Sequence, residues 1–211
     1  MARYETAPTR TNLLRLKADL AFANEGYELL EQKREILVME LKRFTARAVD
    51  AQRRADEELA KAYAALREAQ IATGVGGVGG AAPAVNIRHG LTLSERRVMG
   101  VSLPAVHLDL EERAPHYGPT GTSVWTDEAV MRFKGAVQAL AALAEARIAV
   151  VRLAREIRKT IRRVNALERV FIPDYTESVK YVEDALEESE REEFATLKAI
   201  KARLESARGG G

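Results

Sequence analysis

Residues 11–44 read TNLLRLKADLAFANEGYELLEQKREILVMELKRF, and the spacing of their apolar members decides the fold. Written as heptads, position a takes Leu13, Leu20, Tyr27, Arg34 and Leu41, and position d takes Leu16, Ala23, Leu30, Leu37 and Phe44. A repeat of about 3.5 residues lays these side chains along one stripe of an α-helix, and the stripe needs a second helix to cover it. The pattern continues through Ala48, Ala51 and Ala55, then steps to Leu59, Ala62, Leu66 and Ala69. Two successive steps of four form a stutter, which locally unwinds a left-handed supercoil. Arg34 is the one charge in the seam; it either snorkels out along its aliphatic stem or fixes register against a partner carboxylate. Pro8, Thr9 and Thr11 mark the start of the helix.

A second run answers the first. Val130, Phe133, Val137, Leu140, Ala144, Ile148 and Val151 open it; Ile157, Ile161, Val164, Leu167 and Phe171 continue it. Tyr175, Val179, Val182, Leu186, Phe194, Leu197, Ile200 and Leu204 complete it. Thr126 reads as its N-cap, with Asp127 and Glu128 in the first turn where the helix dipole favours them. Pro173 interrupts the run, because it lacks an N–H and its ring crowds the carbonyl of Arg169; a kink is expected there. The two helices would be rods of roughly 90 and 120 Å. Each buries the other most simply as an antiparallel hairpin, with residue i facing roughly residue 198 − i. The last residues of the second rod then have no partner within the chain, and a protruding apolar face implies a receptor. The expected organisation is a shaft helix over 1–72, a flexible Gly-rich linker with a β-hairpin insert over 73–125, and a second shaft helix over 126–211. The fold class is therefore dominated by α-helix: a long antiparallel two-helix coiled coil carrying a small insert.

Composition agrees with rods. Of 211 residues, 46% are hydrophobic but only 6% aromatic, and 30% are charged, which suits a stripe of aliphatics with solvated flanks. Thirty-three Lys and Arg against 31 Asp and Glu leave a net charge of +2, without the basic excess of a dedicated nucleic-acid binder. With no cysteine, disulfides and thiolate chemistry are excluded. The amino terminus has no apolar signal core. The uncharged stretch from Ile71 to Val85 is too short and too rich in glycine to cross a bilayer.

The insert differs in kind. Gly74, Gly76 and Gly79 spell G-x-G-x-x-G, but a helix precedes them and Pro83 follows, so the strand-and-helix context of a dinucleotide site is missing. A flexible linker is the better reading. Residues 84–88 and 105–110 alternate as strands do, with a long connection between them. No phosphate-binding lysine loop, nucleophile elbow or H-E-x-x-H occurs. His89, His107 and His116 lack metal spacing. No catalytic residue, cofactor site or metal site is expected.

Charge is segregated. Arg152, Arg155, Arg158, Lys159, Arg162 and Arg163 are opposed only by Glu156, and the hairpin register sets them near Lys42, Arg43 and Arg47. Arg43, Arg47, Arg155, Arg158, Arg162 and Arg163 would form a basic collar. Residues 174–193 are acidic and would face Arg3, Arg10, Arg15 and Lys17, which reads as complementarity between the rods. A solvated face with local i,i+4 pairs is the alternative.

Five segments together resemble a known family. They are Pro8-Thr-Arg-Thr-Asn-Leu-Leu-Arg-Leu-Lys, Gly26-Tyr-Glu-Leu-Leu-Glu-Gln-Lys-Arg-Glu, Val98-Met-Gly-Val-Ser-Leu-Pro, Thr160-Ile-Arg-Arg-Val-Asn-Ala-Leu-Glu-Arg-Val-Phe-Ile-Pro and Glu190-Arg-Glu-Glu-Phe-Ala-Thr-Leu-Lys. The chain resembles the D subunits of rotary V-type and A-type ATPases. The glycine run departs from that pattern. The resemblance implies a non-catalytic central rotor shaft that transmits torque between an ATP-handling hexamer and an ion-carrying membrane ring. Its partners would be the catalytic and nucleotide-binding subunits, the small F subunit of the rotor and the cup-shaped subunit that joins the ring. The place implied is cytoplasmic and peripheral to the membrane. The collar would face acidic surfaces of the stator ring. A stand-alone coiled-coil scaffold and a membrane-shaping amphipathic rod are the competing readings from the residues alone.

Overall fold

The computed structural model describes residues 7–112, 115–118 and 121–208. Helix α1 runs over Arg10–Ala81 and is followed by a short 3-10 turn, Ala82–Ala84. Strands β1 (Ile87–Val98) and β2 (Val101–Glu112) form a two-stranded antiparallel sheet. Helix α2 (Val124–Ala166), a five-residue π-turn (Leu167–Phe171) and helix α3 (Ile172–Arg208) complete the chain. The architecture is α-helix-dominated, with paired long helices and a small β insert. Residues up to Arg34 and from Lys159 onward form one compact unit, here the terminal unit; Glu35–Arg158 form the other, the insert unit.

In the terminal unit the helices run antiparallel. Arg10 meets Glu190 and Lys17 meets Glu183, each at 2.6 Å, two residues from the expected facing positions. Leu16, Val179 and Val182 form the core there, flanked by Leu13, Leu20, Tyr175 and Leu186. Val164 is also buried, and Leu30 and Ile161 are half-buried. Fully burying such a side chain contributes about 1.5–3 kcal/mol. Thr9 caps α1, its hydroxyl accepting a hydrogen bond from the Asn12 N–H (3.2 Å).

In the insert unit the seam is made largely of alanine. Ala55, Ala62, Ala65 and Ala69 of α1 are buried, as are Ala129, Ala136, Ala146 and Ala149 of α2. Leu37, Phe44, Leu153 and Ile157 add the large side chains, with Leu41 half-buried. Tyr63 and Phe133 pack edge-to-face, centroids 5.5 Å apart. A β-carbon added at Gly135 would stand 3.3 Å from the Glu58 carboxylate, so these helices pass close together.

Four expectations are corrected. Val137 and Leu140 are 37% and 39% exposed, not seam residues, because the buried stripe of α2 runs through Ala136 and Leu143 instead. Alanine buries less area than valine or leucine, but it lets helix backbones approach. The cap of α2 is not Thr126. Its hydroxyl accepts the Ser123 N–H (3.4 Å), and Thr126 is buried in the first turn. This sets Thr126 in the back-bonding position behind Ser123, while the Ser123 hydroxyl is buried without a hydrogen-bond partner, so only one half of a capping box is made. The glycine run is helical to Ala81 rather than an irregular linker; only Gly74, at φ 75°, leaves helical geometry. Gly77 has a second constraint, since a β-carbon there would come within 3.3 Å of the Gly121 carbonyl oxygen. Finally, residues 94–104 are not a long connection. Twelve consecutive pairs join β1 and β2 from Ile87↔Glu112 to Val98↔Val101. The turn is just Met99-Gly100, both at positive φ (48° and 81°), the geometry of a two-residue hairpin turn.

Pro173 is the second residue of α3, directly after the π-turn. An α-helix passing straight through would need a Pro173 N–H directed at the Arg169 carbonyl. The wider i→i+5 turn shifts that ladder and makes the missing donor tolerable. Arg34 pairs with Glu31 one turn earlier on its own helix (2.6 Å).

Candidate functional site

The described residues contain no group of three or more potential metal ligands and no helix long and apolar enough to cross a membrane. Function is therefore sought on surfaces, of which three stand out.

The first is the end of α3 in the terminal unit. Every described residue from Glu187 to Leu204 is exposed. Phe194, Leu197, Ile200 and Leu204 are 71%, 64%, 48% and 62% exposed, and their spacing aligns them on one helix face. Leu14, Phe22 and Leu29 of α1 are exposed as well, at 71%, 77% and 65%. The sequence reading concentrated on the seam and missed this second stripe. Its signal was present, since Phe22 and Leu29 repeat at the heptad interval beside the seam positions. Scattered apolar residues are normal on a surface, but an aligned, unbroken set marks an interaction face.

The second is the charge pattern. Arg10–Glu190 and Lys17–Glu183 are ion pairs between the rods of the terminal unit. All four side chains are at least 40% exposed, so these pairs set register more than stability. Arg15 pairs instead with Asp19 on its own helix (3.9 Å), and Arg3 lies outside the described residues. The collar residues fall in both units: Arg162 and Arg163 in the terminal unit, Arg43, Arg47, Arg155 and Arg158 in the insert unit. All six are exposed. The guanidinium carbons of Arg43 and Arg47 each lie 5.6 Å from the centroid of the buried Phe44 ring. Arg96, from β1, stands 5.9 Å from the same centroid. Cation–π attraction helps hold the three cations beside one ring. Glu40 pairs with Arg43 at 2.7 Å and offsets part of that charge. Arg96 was not foreseen, because its place in the cluster depends on where the hairpin folds back.

The third is the insert's attachment. Glu145 Oε2 accepts the Val106 N–H (2.8 Å), and Arg152 Nη1 donates to the Ser102 carbonyl (2.8 Å). Glu145 and Arg152 are two turns apart on α2, about 10 Å along the axis. Ser102 and Val106 are about 13 Å apart along β2. The matched spacing clips β2 lengthwise onto α2. Near the start of α2 an apolar cavity of about 360 Å³ is lined by Leu66, Ala69, Val78, Ile87, Phe133 and others. Beside it Tyr117 donates to Asp127 Oδ1 (2.7 Å), and burial together with that carboxylate pushes the phenol up to about 12. Lys61 donates to Glu58 (2.7 Å) and holds its carboxyl below the usual range. Tyr117 is therefore a neutral donor and Glu58 an ion near neutral pH. Both are fixed polar contacts.

Similarity to known proteins extends over the same length. The family model for the D subunit of ATP synthase matches residues 12–202. A Thermococcus sibiricus protein, named as the D subunit of an A-type ATP synthase, is 36% identical over 206 residues, covering 96% of each chain. A Methanosphaera stadtmanae protein of the same name is 38% identical over 203 residues, 94% of each. A Thermus thermophilus protein, named as the D subunit of a V-type ATP synthase, is 35% identical over 202 residues, 96% of this chain and 90% of that one.

Proposed function

The chain belongs to the family of ATP synthase D subunits, and on that premise we propose that it is the non-catalytic central rotor shaft of an A/V-type ATPase. In this reading it transmits torque between the hexamer that makes or hydrolyses ATP and the ion-translocating ring. It acts peripherally on the cytoplasmic side of the membrane, with the small F subunit of the rotor and a cup-shaped subunit as its other partners.

The observation that carries the proposal is the exposed face of Phe194, Leu197, Ile200 and Leu204. An apolar helix face of this length is stable in water only when something receives it, and the bore of a hexameric ring is a suitable receptor. Torque also asks for contacts that slide without locking. Exposed arginines supply long-range attraction with little shape commitment. Arg155 and Arg158 in the insert unit, and Arg162 and Arg163 in the terminal unit, are proposed to face acidic stator surfaces.

Reconstitution with the catalytic and nucleotide-binding subunits tests this. Phe194→Glu with Leu197→Glu should cut co-purification with the hexamer by about tenfold or more, the scale set by losing two buried anchors. Arg155→Glu with Arg158→Glu should slow ATP-driven rotation and leave helix content intact. A discrete homodimer of the isolated chain that buries the end of α3 would instead favour the scaffold reading and overturn this one.

A further inference from the structure

The two edges of the insert sheet are treated differently. On β2, the Val106 N–H and the Ser102 carbonyl point away from β1, toward Glu145 and Arg152. Antiparallel pairing alternates inward and outward residues, so Pro104 between them also faces outward, where its missing N–H costs no ladder bond. That edge is blunted by a proline and by two side chains of α2.

The same alternation fixes the other strand. Leu91, Leu93, Glu95 and Arg97 pair with Leu108, Val106, Pro104 and Ser102, so their backbone groups face outward from β1. The sheet has two strands, and residues 90–97 are all exposed. β1 carries no proline, its register is unbroken, and its twelve residues are twice the usual strand length of about 5–6. A long, regular, open edge is one that proteins ordinarily avoid. Toward the turn its charge is positive: Arg96 and Arg97 against Glu95, with Arg43 and Arg47 beside Arg96 at the Phe44 ring, whereas Arg88 lies opposite Glu111.

We infer that the outer edge of β1 is a docking site for an extended acidic segment of a partner protein, which adds a third strand to the sheet. Backbone groups of Leu91, Leu93, Glu95 and Arg97 hold it. Leu91 and Leu93, 60% and 67% exposed, meet its apolar residues on one face, and Arg96, on the opposite face with Arg43 and Arg47 beside it, meets its carboxylates. The excess positive charge of β1 disfavours a second copy of this chain as the occupant. This inference does not depend on the rotor reading.

The test uses the full chain and a fluorescein-labelled peptide, Glu-Val-Glu-Val-Thr-Val-Glu-Val, followed by anisotropy. Two further peptides have the same side chains but N-methyl groups at the odd or at the even residues, which removes the donors on one edge or on the other. The plain peptide should bind, and the better of the two N-methylation registers should weaken binding by about tenfold or more, because main-chain bonds supply the affinity. Leu93→Pro removes an outward donor of β1 and leaves the inward ladder whole; it should weaken binding to a similar extent. Arg96→Glu should weaken it and flatten its salt dependence. Absence of binding, equal binding of plain and both methylated peptides, or dimerisation of the chain through this edge would each overturn the inference. Should Leu93→Pro disturb the hairpin, the methylated peptides still decide.

Discussion

The terminal unit and the insert unit solve the same packing problem with different side chains. In the terminal unit Leu16, Val164, Val179 and Val182 fill the space between helices. In much of the insert unit alanines line it, and Leu37, Phe44, Leu143, Leu153 and Ile157 are the larger exceptions. Alanine seams bring helices together but bury little apolar surface per residue. The insert unit compensates by adding contacts outside the seam, with a sheet clipped to α2. Among the described residues the terminal unit adds no sheet, and residues 187–204 of α3 face solvent all round the helix. The terminal unit leaves a helix face for something else; the insert unit closes one edge of its sheet with its own side chains and leaves the other edge open.

Truncating a large side chain in the terminal seam should be the most damaging change. Leu16→Ala should cost about 2–5 kcal/mol. The check is denaturant unfolding, with hydrogen exchange to show that the amides released belong to the terminal unit. Equal loosening of both units would break the distinction. The reciprocal change acts on the insert unit, where Ala136, fully buried, has no room to grow. Ala136→Leu should cost about 1–3 kcal/mol by forcing the helices apart. A neutral or stabilising result would mean that the alanine seam is not close-packed.

Glu145→Ala should cost about 1–3 kcal/mol by leaving the Val106 N–H without its acceptor. Faster exchange should be confined to the insert hairpin, and spread into α1 would show that the hairpin braces the seam as well. The smallest effect concerns pH. The Tyr117 phenol is raised from 10.0 to about 12 in the folded chain. The native state therefore favours the protonated phenol, so its stabilising contribution is complete below pH 10 and is lost as pH rises toward 12. Solvent screening keeps it below about 1 kcal/mol. Tyr117→Phe should remove this alkaline limb from the melting profile of the insert unit and leave the terminal unit unaffected.

Much of this was readable before folding was considered. Heptad spacing pointed to Leu16, Leu37, Phe44, Val164, Val179 and Val182, all of them buried. The reading failed between Thr126 and Val151, where apolar residues occupy two adjacent stripes and alanine competes with valine and leucine. Choosing the larger residue put Val137 and Leu140 in the seam; the close approach of the helices selected Ala136 and Leu143 instead. The hairpin was half legible. Met99-Gly100, flanked by alternating residues, carried the turn signal, but the charged run Glu95-Arg-Arg concealed the strand because both faces of β1 are wet. The glycine run reads as a flexible linker because propensity argues against helix, whereas in the structure it is helical to Ala81, and Gly77 alone in the run is hemmed in, by Thr73 and the Gly121 carbonyl oxygen.

The sequence by itself determined that two long amphipathic helices exist, that they pair head-to-tail, and that one outlasts its partner. These follow from periodicity, which is a local property of the chain. The tertiary structure alone decided which of two stripes is buried and that Arg96 joins Arg43 and Arg47 beside Phe44. It also decided that one edge of the insert sheet is closed while the other stays open. Those outcomes depend on distances between residues far apart in sequence, and only the packed chain sets them.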